Sequence, residues 1–157
     1  MQDDSLEDLR QQIDSVDRQL LQLISSRAKL AQQVASVRAK ATGEQSFYRP
    51  EREASVLKSV LEHNQGPLSD EEMARLIREV MSACLALEQR LQVAFLGPAG
   101  TFTEEAAYKH FGHSIRTLAT SSIDDVFREV ESDNANCLLY TSPSPRDQRG
   151  SRMPSSA

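Results

Sequence analysis

From Leu6 the apolar positions recur as Leu6, Leu9, Ile13, Val16, Leu20 and Leu23, and again as Leu30, Val34 and Val37 after an interruption at Arg27. Steps of three and four residues alternate over more than four heptads, which predicts one long helix from about Ser5 to Ala41. Gly43 and the polar residues after it end that helix. At 1.5 Å per residue it would run for roughly 55 Å, longer than a globule of about ninety residues is wide. Its seam therefore needs other helices or a second chain to cover it. A second helix is predicted from Pro50, a residue suited to the first helical position, with Glu51 and Glu53 complementing the dipole. Ala54, Leu57, Val60 and Leu61 form its apolar face, and Asn64-Gln65-Gly66-Pro67 stops it. A third opens on a capping box, Ser69 to Glu72, and carries Met73, Ile77, Val80, Met81, Cys84 and Leu87 on one face.

The interruption carries the chemistry. Arg27 falls in a core slot of the first helix, where an unpaired guanidinium would cost several kcal/mol to desolvate, so an anion must meet it. Arg10 and Arg38 each lie one residue past an apolar seam position, so the three cations share one side of the helix. A ligand bearing carboxylates or phosphate fits that arrangement. So does a register device in which Arg27 pairs with a glutamate of a partner helix, and the first helix alone leaves both readings open.

The pattern changes at Val93. Val93-Ala94-Phe95-Leu96 reads as a short buried strand, followed by a Gly97-Pro98-Ala99-Gly100 turn and a capping box from Thr101 to Glu104. A strand, a glycine-rich turn and a helix N-terminus make an anion-binding opening to an α/β domain. Ser122 with Asp125 opens a further short helix through Val130. One strand and two helices cannot bury a core, so this part reads as an incomplete domain. Residues 137–157, rich in Ser, Pro and Arg, read as a disordered, non-native tail. The run from Cys137 to Asp147 resembles the translation of a transposase-type sequencing adapter. The expected organisation is thus 1–91, 92–136 and 137–157.

Composition narrows the partners. The 157 residues are 39% hydrophobic and 26% charged, with no Trp and a net charge of -5, which suits a water-soluble helical protein and argues against nucleic acid. No apolar run approaches the length of a membrane span, and the acidic start lacks the apolar region of a secretory signal. Cys84 and Cys137 have no metal or redox spacing, so a reducing cytoplasm is the expected compartment. His110 and His113 flank Gly112 without further ligands nearby, and no metal or cofactor is expected.

Three stretches together resemble a known family. The arginine-bearing long helix, Phe47-Tyr48-Arg49-Pro50-Glu51-Arg52-Glu53-Ala54, and Met81-Ser82-Ala83-Cys84-Leu85-Ala86-Leu87-Glu88-Gln89 are similar to the all-helical chorismate mutases. Val93 to Thr103 resembles the opening of a prephenate dehydratase domain, and the order of the two resembles the bifunctional bacterial enzymes of phenylalanine synthesis.

The resemblance implies an all-α, three-helix protomer in an intertwined homodimer, followed by a truncated α/β fragment and the tail. It implies that chorismate is the substrate and that dehydratase activity is absent. By resemblance, Arg27 binds one substrate carboxylate in its own subunit and Arg10 reaches the other across the dimer. Arg38 stands where the family usually has lysine, serving a carboxylate and the ether oxygen; it keeps the charge but presents a fork. Arg49 and Arg52 are further site cations, and Glu53 accepts the substrate hydroxyl. Cys84 falls where some members place a serine on a carboxylate, and an apolar core role suits it as well. Glu88 occupies a position held by Gln or Glu that donates to the ether oxygen, which a carboxylate does only when protonated. A non-catalytic helical dimer with a regulatory role and a pyruvate lyase acting on isochorismate are the alternatives.

Overall fold

In the computed structural model, which describes residues 5–42 and 48–140, the chain divides into two compact units. One runs to Arg90 and takes in Phe111–Ser114; the other holds Leu91–His110 and the chain from Ile115. Gly43 and Phe47, and the tail beyond Tyr140, lie outside the described residues.

The first unit consists of α1 (Leu6–Thr42), α2 (Pro50–His63) and α3 (Asp70–Ala86), with α3 the common packing partner of the other two. Reciprocal hydrogen bonds start α1: Asp8 N–H donates to Ser5 Oγ (3.2 Å) and Ser5 N–H to Asp8 Oδ2 (3.2 Å). Pro50 opens α2 as expected, and Asn64, in extended conformation, closes it ahead of Gly66. Ser69 caps α3 by accepting from Glu72 N–H at 3.2 Å.

Two details of the predicted faces change. On α2 the half-buried face comprises Glu53, Val56, Leu57 and Val60, whereas Ala54 and Leu61 are exposed, because α3 is the main element packed on this helix and covers a narrower stripe than expected. On α3 Leu87 is exposed because it forms the C-cap, where the face no longer continues in helical register. The α1 seam stands open within a single chain: Leu6, Val16 and Leu23 keep 65%, 61% and 67% of their surface exposed. Arg27 is accordingly half-buried, and it lies on the wall of a cavity instead of in a packed core slot.

The second unit corrects the sequence reading in three places. It has three parallel strands in the order β2-β1-β3: β1 (Gln92–Leu96), β2 (Arg116–Thr120) and β3 (Cys137–Leu139). β2 was not expected. β3 shows that the sheet extends through Leu139, so Cys137–Leu139 belong to this unit and not to the tail; their partners are Val93, Ala94 and Phe95. Between the strands lie α4 (Phe102–Phe111) and α5 (Ile123–Glu131), the latter capped by Ser122 as predicted. Ala94, Val126 and Ala135 form a core, and Val93 and Phe95 point to the opposite sheet face. The expected box at Thr101 does not close. Thr101 Oγ1 is buried without a hydrogen-bond partner, while Glu104 accepts from Gly100 N–H (2.6 Å) and from Thr117 Oγ1 (2.9 Å) on the unexpected strand. Among the described residues no helix is long and apolar enough to cross a membrane.

Candidate active site

Residues from all three helices of the first unit enclose a cavity of about 240 Å³. From α1 come Arg27, Ala31 and Arg38, spaced by four and seven residues and therefore on one face, with Val34 and Ala35 between them. The small side chains at 31 and 35 leave the space that a leucine would fill. Tyr48 and Arg49 precede α2, and Arg52, Glu53 and Val56 from its first turns complete that wall. α3 presents Met81, Cys84, Leu85 and Glu88, a stripe of helical period that carries past the last regular turn.

Seven of the eight residues singled out from the sequence thus share one cavity: Arg27, Arg38, Arg49, Arg52, Glu53, Cys84 and Glu88. Arg10 does not line it. Seventeen residues before Arg27, it lies about 26 Å away along the helix axis. It is exposed, with Nη1 4.0 Å from Glu7 Oε2. Sequence reasoning missed the wall positions Ala31, Ala35 and Val56, and also Arg78. The helical period from Arg27 to Arg38 held the signal for the two alanines.

Four guanidinium groups and two carboxylates give the lining a formal charge of +2. No ion pair among the described residues engages Arg27 or Arg52. Arg49 Nε donates to Glu51 Oε1 at 2.6 Å. The Glu51 carboxyl is held below its ordinary value by its own backbone N–H and then by Arg49, with a smaller contribution from the charge of Arg38. Glu53 Oε1 lies 3.5 Å from Arg78 Nε.

Glu88 behaves oppositely. Burial pushes its carboxyl above the ordinary 4.5, and the opposing pull of Arg38 is the smaller effect. Its backbone N–H donates to Leu85 O at 3.1 Å, so it sits at the carbonyl end of α3, where negative charge is also disfavoured. Cys84 is buried, a free thiol against the cavity. His113 is taken up elsewhere: its ring Nδ1 lies 2.7 Å from Glu79 Oε1, and its backbone N–H donates to Glu79 Oε2 at 3.0 Å. The cavity therefore gathers four guanidinium groups around a space that suits an anion, with one carboxyl of raised pKa among them.

A long helix that shares a cationic cavity with two shorter helices defines an all-helical unit with a cavity suited to an anionic ligand. The profile of chorismate mutase type II matches residues 9–89, and the chain belongs to that family. The prephenate dehydratase profile matches residues 93–139. The chain is 57% identical over 136 residues to the bifunctional chorismate mutase/prephenate dehydratase of Stutzerimonas stutzeri and 56% identical over 136 residues to that of Pseudomonas aeruginosa. These matches take in 85% of the chain and 37% of each relative, so the chain spans little more than a third of their length. Among solved structures, the chorismate mutase (form II) of Thermus thermophilus superposes with a TM-score of 0.51 at 33% identity, covering 54% of this chain and 94% of that one.

Proposed function

We propose that this chain is a chorismate mutase, a cofactor-independent, homodimeric enzyme of the cytoplasm that rearranges chorismate to prephenate in phenylalanine biosynthesis. The observation that carries the reading is the +2 lining of a cavity built from one helical unit. A pericyclic shift needs no nucleophile and no net proton transfer. It needs the dicarboxylate held in its compact conformer and charge on the ether oxygen stabilised as that bond breaks. Arg27 binds one substrate carboxylate. Arg38 serves the other and the ether oxygen, Arg49 and Arg52 add positive potential at the cavity wall, and Glu53 accepts the substrate hydroxyl. Glu88, whose carboxyl is biased toward its protonated form, donates to the ether oxygen. Cys84 forms part of the wall.

The exposed seam of α1 supports dimerisation. Nine apolar seam side chains, each worth about 1 kcal/mol when its remaining exposed surface is covered, would stabilise a paired helix by several kcal/mol. In that dimer Arg10 of one subunit would reach the cavity of the other. Residues 93–139, which the prephenate dehydratase profile matches, contribute nothing to the cavity lining, so the mutase reading rests on the helical unit alone. The test is steady-state loss of chorismate, with Arg27→Ala as control: the parent should turn over and the variant at least about tenfold more slowly, and an inert parent would overturn the proposal.

A further inference from the structure

We propose that Arg78 is a positioning residue for Glu53, an inference that rests on reading the cavity as a chorismate site. Arg78 does not line the cavity, yet its Nε lies 3.5 Å from the Glu53 carboxylate that does. The pair joins α3 to α2 and is sheltered, its side chains retaining 25% and 18% exposure. By contrast, the side chains of Arg75 with Glu72 and of Lys58 with Glu62, each pair within one helix, are at least half exposed. The Arg78 Nε is buried with no hydrogen-bond partner, so its charge depends on Glu53 for compensation.

The need for such a tether follows from the cavity's own composition. A carboxylate facing Arg27, Arg38, Arg49 and Arg52 will pair with one of them if nothing else holds it. That collapse would remove a cation from the substrate's carboxylates and turn Glu53 away from the substrate hydroxyl. Arg78, outside the lining, competes for the same carboxylate and keeps it at the wall. Glu53 then leaves the cavity arginines to the ligand's carboxylates. The pairing was hidden in the sequence because Arg78 sits next to Ile77 on a helix read only for its apolar face.

The test is a double-mutant cycle on the full chain, measuring KM and kcat for the parent, Arg78→Met, Arg78→Lys, Glu53→Gln and Arg78→Met/Glu53→Gln. Loss of the tether should raise KM by about 10- to 100-fold, the worth of a charge-assisted contact, while leaving kcat within about threefold. Arg78→Lys, which keeps the charge, should recover most of the loss. On the Glu53→Gln background, where the neutral amide has no charge to collapse onto a cavity arginine, Arg78→Met should change KM by less than about threefold.

An unchanged KM in Arg78→Met, or the same factor on both backgrounds, would overturn the tether while leaving the mutase reading intact. If Arg78→Met fails to fold by circular dichroism, Arg78→Gln carries the same cycle. If the parent binds prephenate by calorimetry without turnover, the mutase reading fails and the cycle is read in Kd. A parent that neither turns over nor binds sinks both.

Discussion

Replacing Glu88 with glutamine separates the chemistry proposed here from mere substrate binding. Glu88 lines the cavity at the carbonyl end of α3, and burial raises its carboxyl pKa above the ordinary 4.5 against the weaker pull of Arg38. Only the protonated carboxyl donates a hydrogen bond, so kcat/KM of the parent should fall as pH rises through the raised pKa. The fall approaches tenfold per pH unit and levels at about 10²- to 10³-fold below the plateau, the usual cost of a missing donor to a developing oxyanion. Glutamine donates at every pH, so the Glu88→Gln profile should stay flat from pH 5 to about 8 while the parent's declines.

Stability should follow the same sign. A carboxyl whose folded pKa exceeds its unfolded value binds more protons in the folded state, so the parent loses stability as pH rises between those two values. Glu88→Gln removes that loss, and the difference in Tm between variant and parent should widen over the same window. The assay is kcat/KM against pH for both proteins, from chorismate loss. Superimposable profiles would place Glu88 outside the chemistry and refute the reasoning.

Three other outcomes are expected. Arg27→Ala should lower kcat/KM by at least about tenfold to a hundredfold, for a contact worth roughly 1.5–3 kcal/mol, with Tm unchanged or raised because no ion pair is broken; activity equal to the parent's would remove Arg27 from the site. Leu20→Glu, on the open seam of α1, should yield monomers by sedimentation and an inactive protein, since an unpaired carboxylate on a buried seam costs several kcal/mol; a dimer of normal activity would show that the seam is not the interface. Deleting residues 92–157 should preserve mutase activity, because the lining runs only from Arg27 to Glu88, and the full chain should form no phenylpyruvate from prephenate; mutase loss in the truncated chain, or phenylpyruvate from the full one, would contradict the assignment of work to the helical unit.

The three helices were legible because each signals locally. The seam's step of three and four residues, Pro50 at a helix start and the Ser69–Glu72 box all act within a few residues of the position they specify. Much of the cavity was legible for the same reason, since Arg27 interrupts an apolar stripe and Glu88 continues one. Arg78 was not, because its partner lies on another helix and only packing brings the two together. β2 is five residues long and pairs with a strand more than twenty residues before it, so its register is nonlocal. Cys137–Leu139 is too short for its own pattern to mark a strand, and it becomes one only by pairing with Val93–Phe95, far earlier in the chain. Thr101 carried the sequence of a cap, but Glu104 instead turned to Gly100 and Thr117, a partner supplied by the strand that was not foreseen.

The most direct test of the central claim is to incubate the purified chain with chorismate and identify the product by proton NMR. The account predicts stoichiometric prephenate, formed without added metal or cofactor and slowed at least about tenfold by Arg27→Ala. Unchanged chorismate would mark a non-catalytic helical module and contradict the account; release of pyruvate from isochorismate, with chorismate left intact, would contradict it in favour of a lyase.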